Sequence, residues 1–240
     1  MSLKLLFKYS QKLLLLQINL IIFGLLLTSL PSSGQSLKNS TQRYLESNES
    51  VARYEPQIDK LLQLMRQRLL IQNDVARGKW NQDGSIEAPG REQDLLAQIR
   101  STAPSYGLDA DTAAIFFQWQ IFAGKLVQID DFQTWLQQGV QSFNNVPDLN
   151  QVLRPSLDEL SPQLLDALKQ LTPVLKCSKV QQLIQLRATD ILRGEGIDKV
   201  VRHVALAPLI ELKGTSCQDV SRLHGVKNLK EQGFSSNVLP

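Results

Sequence analysis

The chain predicts an all-α fold, a single bundle of about six helices. Three observations carry this expectation. Leu and Gln are abundant while aromatic residues are few. No stretch alternates Val, Ile and Tyr with polar residues as half-buried strands do. After residue 51, apolar residues recur at three- and four-residue spacing through most of the sequence.

The first 34 residues stand apart from this pattern. Lys4, Lys8 and Lys12 precede or open the apolar run Leu13 to Leu30, no acid occurs before Gln35, and "PSSG" follows with small residues at Ser32 and Gly34. A basic start, an apolar run and a small-residue cut site describe a signal peptide over 1–34, cleaved near Gly34. The run is also long enough to serve as an uncleaved anchor. Residues 35–50 are polar and read as a loose mature N-terminus. The helical domain occupies 51–240.

The helices follow in order. Ile58, Leu61, Leu62, Met65, Leu69 and Val75 mark a helix from Val51 to Trp80, stopped by the turn "NQDGS". A second helix enters at Pro89 or Gly90 and runs to about Ala103 before "PSYG". A third, capped by Asp109 or Asp111, carries Ile115, Phe116, Trp119, Phe122, Leu126, Ile129, Phe132 and Trp135 and extends to about Phe143. "NNVPDLN" is a connector. "LRPSLDEL" reads as a short turn or helix opened by Pro155. A new helix then begins with Ser161 as cap and Pro162 in its first turn, and it ends at Thr172-Pro173. Helices over about 178–193 and 198–212, divided by "GEG", complete the domain.

Charge and cysteine usage narrow the function. The sequence has 26 Lys+Arg against 23 Asp+Glu. Removing the leader takes three lysines, so the mature chain is formally neutral and offers no bulk attraction to nucleic acid. Cys177 and Cys217 are the sole cysteines, and an even pair in an exported chain reads as one disulfide. Two cysteines and two scattered histidines make no metal-ligand cluster. There is no nucleophile elbow, Gly-rich phosphate loop or Ser/His/Asp set.

What remains is a group of polar residues in unexpected places. In "RLLIQNDVARGKW", Arg68 and Lys79 lie eleven residues apart, close to three helical turns, so both project from one face about 16 Å apart. No acid occupies i+3 or i+4 from Arg68, or i−3 or i−4 from Lys79. "GRE" supplies Arg91 and Glu92 at the start of the second helix. "AGKLVQ" places Gly124 and Gln128 one turn apart on the third. Arg154 precedes Pro155, which predicts an extended backbone there. Singly, each suits a solvated surface. Together they suit a small anionic substrate whose reaction needs stabilisation of charge rather than proton transfer.

In these pieces, taken in order, the sequence resembles the all-helical (type II) chorismate mutases, specifically their exported subclass. The matching segments are "RLLIQNDVARGKW", the Ile86–Glu92 stretch "IEAPGRE", "FFQWQIFAGKLVQ", Trp135 and "LRPSLDEL". The resemblance implies the Claisen rearrangement of chorismate to prephenate, without cofactor, metal or covalent intermediate. It implies that Arg68, Arg91 and Arg154 clamp carboxylates. Lys79 would bridge a carboxylate and the ether oxygen, Gln128 would donate to that oxygen, and Glu92 would accept from the ring hydroxyl. The family often has Ser or Thr at the place of Gly124, contacting a carboxylate, and Asp at the place of Ala88, where the backbone N–H meets the hydroxyl. The catalytic expectation therefore rests on Lys79, Gln128 and Arg68, with Ala88, Arg91, Glu92, Gly124 and Arg154 as further substrate contacts. The resemblance also implies a pocket within one chain, a homodimer, and a periplasmic or secreted location. Two other readings compete. One is an inactive relative that binds small carboxylates outside the cytoplasm. The other is a structural helical protein whose cations point to separate solvent faces.

Overall fold

The computed structural model describes residues 51–212 together with Cys217. The leader (1–34) and the polar segment 35–50 read from the sequence lie outside these residues. Among the described residues there are six α-helices and no strand. They are α1 (Glu55–Trp80), α2 (Pro89–Thr102), α3 (Ala110–Gln138), α4 (Arg154–Leu171), α5 (Ser178–Ile191) and α6 (Lys199–Ile210).

The two long helices, α1 and α3, organise the rest. Helix α1 packs on α3, α4 and α5, and α3 packs on α1, α2 and α6. Leu61, Leu62 and Met65 of α1 meet Phe116 and Phe117 of α3 and Leu164, Leu165 and Leu171 of α4 in one apolar core. That Phe116 and Phe117 are adjacent and both buried shows α3 covered from more than one side. A helix wrapped in this way cannot display the single apolar stripe of a surface helix.

Asp109 caps α3 by accepting from the Thr112 N–H. The helix stops at Gln138, short of the expected Phe143, because Gly139 takes a left-handed conformation (φ 67°) and its N–H turns back to the Leu136 and Trp135 carbonyls. The chain then crosses to the end of α1. There the Asn81 side chain clasps the Phe143 backbone, donating to its carbonyl and accepting from its N–H, both at 2.8 Å. Phe143 stacks on Trp135 at 4.5 Å, beside Trp80 and Phe132. This clasp carries the connector towards the flank of α1.

Two expectations about α4 are corrected. The sequence put a break at Ser161 and Pro162, but α4 runs continuously through Pro162. Pro162 lacks the N–H that would bond the carbonyl four residues back. Leu160, Leu164, Leu165, Leu168 and Leu171, all buried on the core, outweigh that loss. Ser161 does not cap; its hydroxyl donates to the Leu157 carbonyl within the helix. Arg154 is helical (φ −65°, ψ −46°), not extended. A π-turn, Leu149–Leu153, delivers the chain already helical, with the Arg154 N–H bonded to the Leu149 carbonyl. Pro155 then falls in the first turn, where its missing N–H is not needed.

The last helices are pinned at both ends. Asp198 caps α6 through the Val201 N–H. Gly196, at φ 70°, lets the preceding loop lie against Val127, where an added Cβ would come within 2.6 Å. The Cys177–Cys217 disulfide is formed, spanning 40 residues of sequence. Gln181 secures the same end by donating to the carbonyls of Leu175 and Leu212.

Candidate active site

A cavity opens between α1, α2, α3 and the start of α4. Helix α1 contributes Arg68, Gln72, Val75 and Lys79, spaced so that all four project from one face. The α1–α2 turn brings Ile86 and Ala88, and α2 brings Arg91, Glu92 and Leu95. Helix α3 gives Ile121, Lys125 and Gln128, and the π-turn and α4 give Leu149, Arg154 and Leu157. Five cations and one carboxylate therefore line the same space.

The deepest of these groups are buried with no carboxylate among the described residues bonded to them. Arg68 is 4% exposed and lies over the Phe117 ring. Its Nη1 reaches the Leu157 carbonyl only at 3.5 Å, and its Nε has no hydrogen-bond partner among the described residues. Burial pushes its pKa down to about 10, opposed by Asp158 and reinforced by Arg91. It remains a cation at neutral pH. Lys79 is 8% exposed. Its ammonium donates to the Gln128 Oε1 at 2.9 Å and to the Ile86 carbonyl. Burial first, and then Arg154, lower its pKa to about 8, with Glu92 opposing.

The outer groups are held by neighbours. Arg91 pairs with Asp158, and Arg154 donates to Asn150. Glu92 is shared: its Oε1 accepts from the Ala88 N–H at 3.1 Å and its Oε2 meets Lys125 at 2.8 Å. Lys125 also pairs with Glu87.

Of the residues singled out from sequence, Arg68, Lys79, Ala88, Arg91, Glu92, Gln128 and Arg154 line this cavity; Gly124 does not. A Cβ built at Gly124 would lie 3.0 Å from Cγ and Cδ of Gln72, so Gln72 covers that position. Gln72 and Lys125 are not among the residues that the sequence singled out. Gln72 carried a readable signal, since it stands one turn from Arg68 and two turns from Lys79 on the same face. Lys125 lies three residues before Gln128, which is also same-face spacing.

The helical bundle recurs in known proteins. The crystal structure of chorismate mutase from Burkholderia thailandensis superposes with a TM-score of 0.57 and 30% sequence identity, over 64% of this chain and 98% of that one. The family model of chorismate mutase type II matches residues 57–129. This chain belongs to the type II chorismate mutase family. The matched stretch covers nearly all of α1, all of α2 and the part of α3 that ends just past Gln128, which are the elements forming most of the cavity wall. Two secreted chorismate mutases are also similar. That of Mycolicibacterium smegmatis is 27% identical over 143 residues, 60% of this chain and 78% of that protein. That of Mycobacterium tuberculosis is 25% identical over 147 residues, 61% of this chain and 73% of that protein. The cavity wall of this chorismate mutase family member holds Arg68 and Lys79 buried and carries the Glu92 carboxylate.

Proposed function

We propose that the protein is an exported chorismate mutase that converts chorismate to prephenate within this cavity. The observation that carries the proposal is the buried Lys79–Gln128 pair, set in a cationic cavity where no carboxylate among the described residues bonds Lys79 or Arg68. The reaction is an intramolecular rearrangement in which the ether C–O bond breaks as a new C–C bond forms. It takes no electron, proton or group from outside. What lowers its barrier is stabilisation of negative charge growing on the ether oxygen, together with enforcement of the folded substrate shape.

The roles follow from position. Lys79 and the free N–H of the Gln128 carboxamide would face the ether oxygen. These donors are fixed before the reaction and buried from water, where they act most strongly. Arg68 would pair with a carboxylate through its unpartnered edge, and Arg91 and Arg154 would close on the carboxylates by exchanging Asp158 and Asn150 for substrate. The Ala88 N–H and the Glu92 carboxylate bond each other at 3.1 Å. A ring hydroxyl entering between them would accept from the first and donate to the second.

Several further points belong to the same reading. The signal peptide would be cut near Gly34 and the mature enzyme released to the periplasm or exterior; no helix among the described residues is long and apolar enough to cross a membrane. A homodimer is supported by Ile115, Phe122, Ile129 and Leu136, exposed at seven-residue intervals along α3. The alternative of an inactive carboxylate-binding relative is not favoured, because binding alone gives no reason to bury Lys79 against Gln128. The test is loss of chorismate, followed by ultraviolet absorbance, with the disulfide-bonded protein. Rapid loss supports the enzyme. A folded protein that binds chorismate without converting it would support the binding module.

A further inference from the structure

We infer that Gln72 is a positioning residue for catalysis, and that Gly124 is without a side chain in order to admit it. The inference rests on the chorismate mutase reading above. It starts from three hydrogen bonds in series. The Gln72 Nε2 donates to the Arg68 carbonyl at 3.2 Å, the Gln128 Nε2 donates to the Gln72 Oε1 at 2.8 Å, and Lys79 donates to the Gln128 Oε1 at 2.9 Å.

A carboxamide can present either end, and the wrong end at Gln128 would aim an oxygen lone pair at an oxygen gaining negative charge. The series removes that freedom. A backbone carbonyl only accepts, so the Gln72 Nε2 must face Arg68 and its Oε1 must face Gln128. The Gln128 Nε2 must then face Gln72, which leaves its second N–H for the cavity. Lys79 donates to the opposite end and to the Ile86 carbonyl, and a substrate oxygen would share its N–H groups. Gln72 is the partner of Gln128 that the substrate would leave untouched.

Gly124 makes the arrangement possible. Its missing Cβ would lie 3.0 Å from Gln72 Cγ and Cδ and 3.2 Å from Oε1. Gln72 is hydrogen-bonded at both ends of its carboxamide and buried at 7% exposure, so even a shift of a few tenths of an ångström would strain those bonds. The pair Gln72 and Gly124 is one device spread over α1 and α3.

The test is a double-mutant cycle with kcat, KM and Tm measured for each protein. Q72L removes the acceptor at similar volume and lowers kcat about tenfold, the upper end for one neutral hydrogen bond, with KM and Tm little changed. In the Q128L background, Q72L changes kcat no further. G124A lowers kcat as Q72L does, and adding it to Q72A costs nothing more, because the side chain it displaces is gone. A Q72L loss of equal size in both backgrounds, a change in KM alone, or a G124A loss that persists in Q72A would each overturn the inference. Wild-type turnover with Q72L at wild-type kcat would also overturn it and leave the enzyme reading intact. A wild-type protein that does not convert chorismate would overturn both.

Discussion

Arg187 and Arg68 show two ways of placing an arginine in this bundle. Arg187, on α5, meets both oxygens of Asp59 at 2.8 and 2.6 Å and approaches Glu55 at 3.3 Å. The hydrogen bond to Asp59 raises its pKa. Arg68, on α1, is more deeply buried, has no carboxylate bonded to it among the described residues, and its pKa falls through burial. The first arginine ties α5 to α1 with its own counter-ions beside it. The second is desolvated and left open. Removing a charge from water without a partner is costly, so such a group persists where something else supplies the anion. Lys79 follows the rule of Arg68. The fold thus separates a cation that ties helices together from buried cations that the proposed function assigns to a dianionic substrate.

The largest test of that separation is K79A. If Lys79 supplies charge at the ether oxygen, its loss lowers kcat by about 10²–10³-fold or more, the scale of a lost oxyanion donor, while helicity and Tm stay near wild type. Retained kcat would place Lys79 with the structural cations. Q128E comes next. An ionised carboxylate at this position would repel the developing charge and could not donate, whereas its protonated form could. Activity of Q128E should therefore rise as pH falls, and a flat profile would remove Gln128 from the ether oxygen. The sign is distinctive, because wild-type Gln128 does not titrate.

How much of this is legible in the sequence depends on whether the deciding contact is local. The Arg68–Lys79 face, the Asp109 cap and the late disulfide follow from spacing and residue type within one element or one pair. The end of α3 is also legible, since Gly139 directly after "LQQ" is a C-cap signal; the aromatic run up to Phe143 obscures it. Arg154 and Pro162 mislead for a different reason. Rules for proline are local, and here a preceding π-turn and the leucine face of α4 override them. The place of Gln72 on the Arg68–Lys79 face is legible from spacing, but what its side chain does there is not. Its meaning appears only when α3 brings Gly124 and Gln128 against it, and no spacing within α1 reveals that contact.

The wild-type pH profile sharpens the comparison with a smaller effect. If Lys79 acts as a cation, its pKa, lowered by burial to about 8, sets the profile. kcat/KM should be level below pH 8 and fall about tenfold per unit well above it, since this parameter reports the free enzyme. The bound dianion favours the charged ammonium, so kcat should hold to higher pH than kcat/KM. A kcat/KM profile level to pH 10 would show that neighbours inside the cavity keep Lys79 charged more firmly than its burial suggests.

The smallest effect is expected at Arg187, and it completes the contrast. R187A breaks contacts with Asp59 and Glu55 at a partly solvated surface, where ion pairs contribute little. Tm should fall by about 2 °C, more at low ionic strength than at high, because screening already weakens the pairs in wild type. kcat and KM should not move, since α5 does not line the cavity. A fall in kcat without loss of Tm would mean that the α1–α5 contact sets the position of Arg68 or Lys79 along α1. The two kinds of cation would then be coupled through the helix they share.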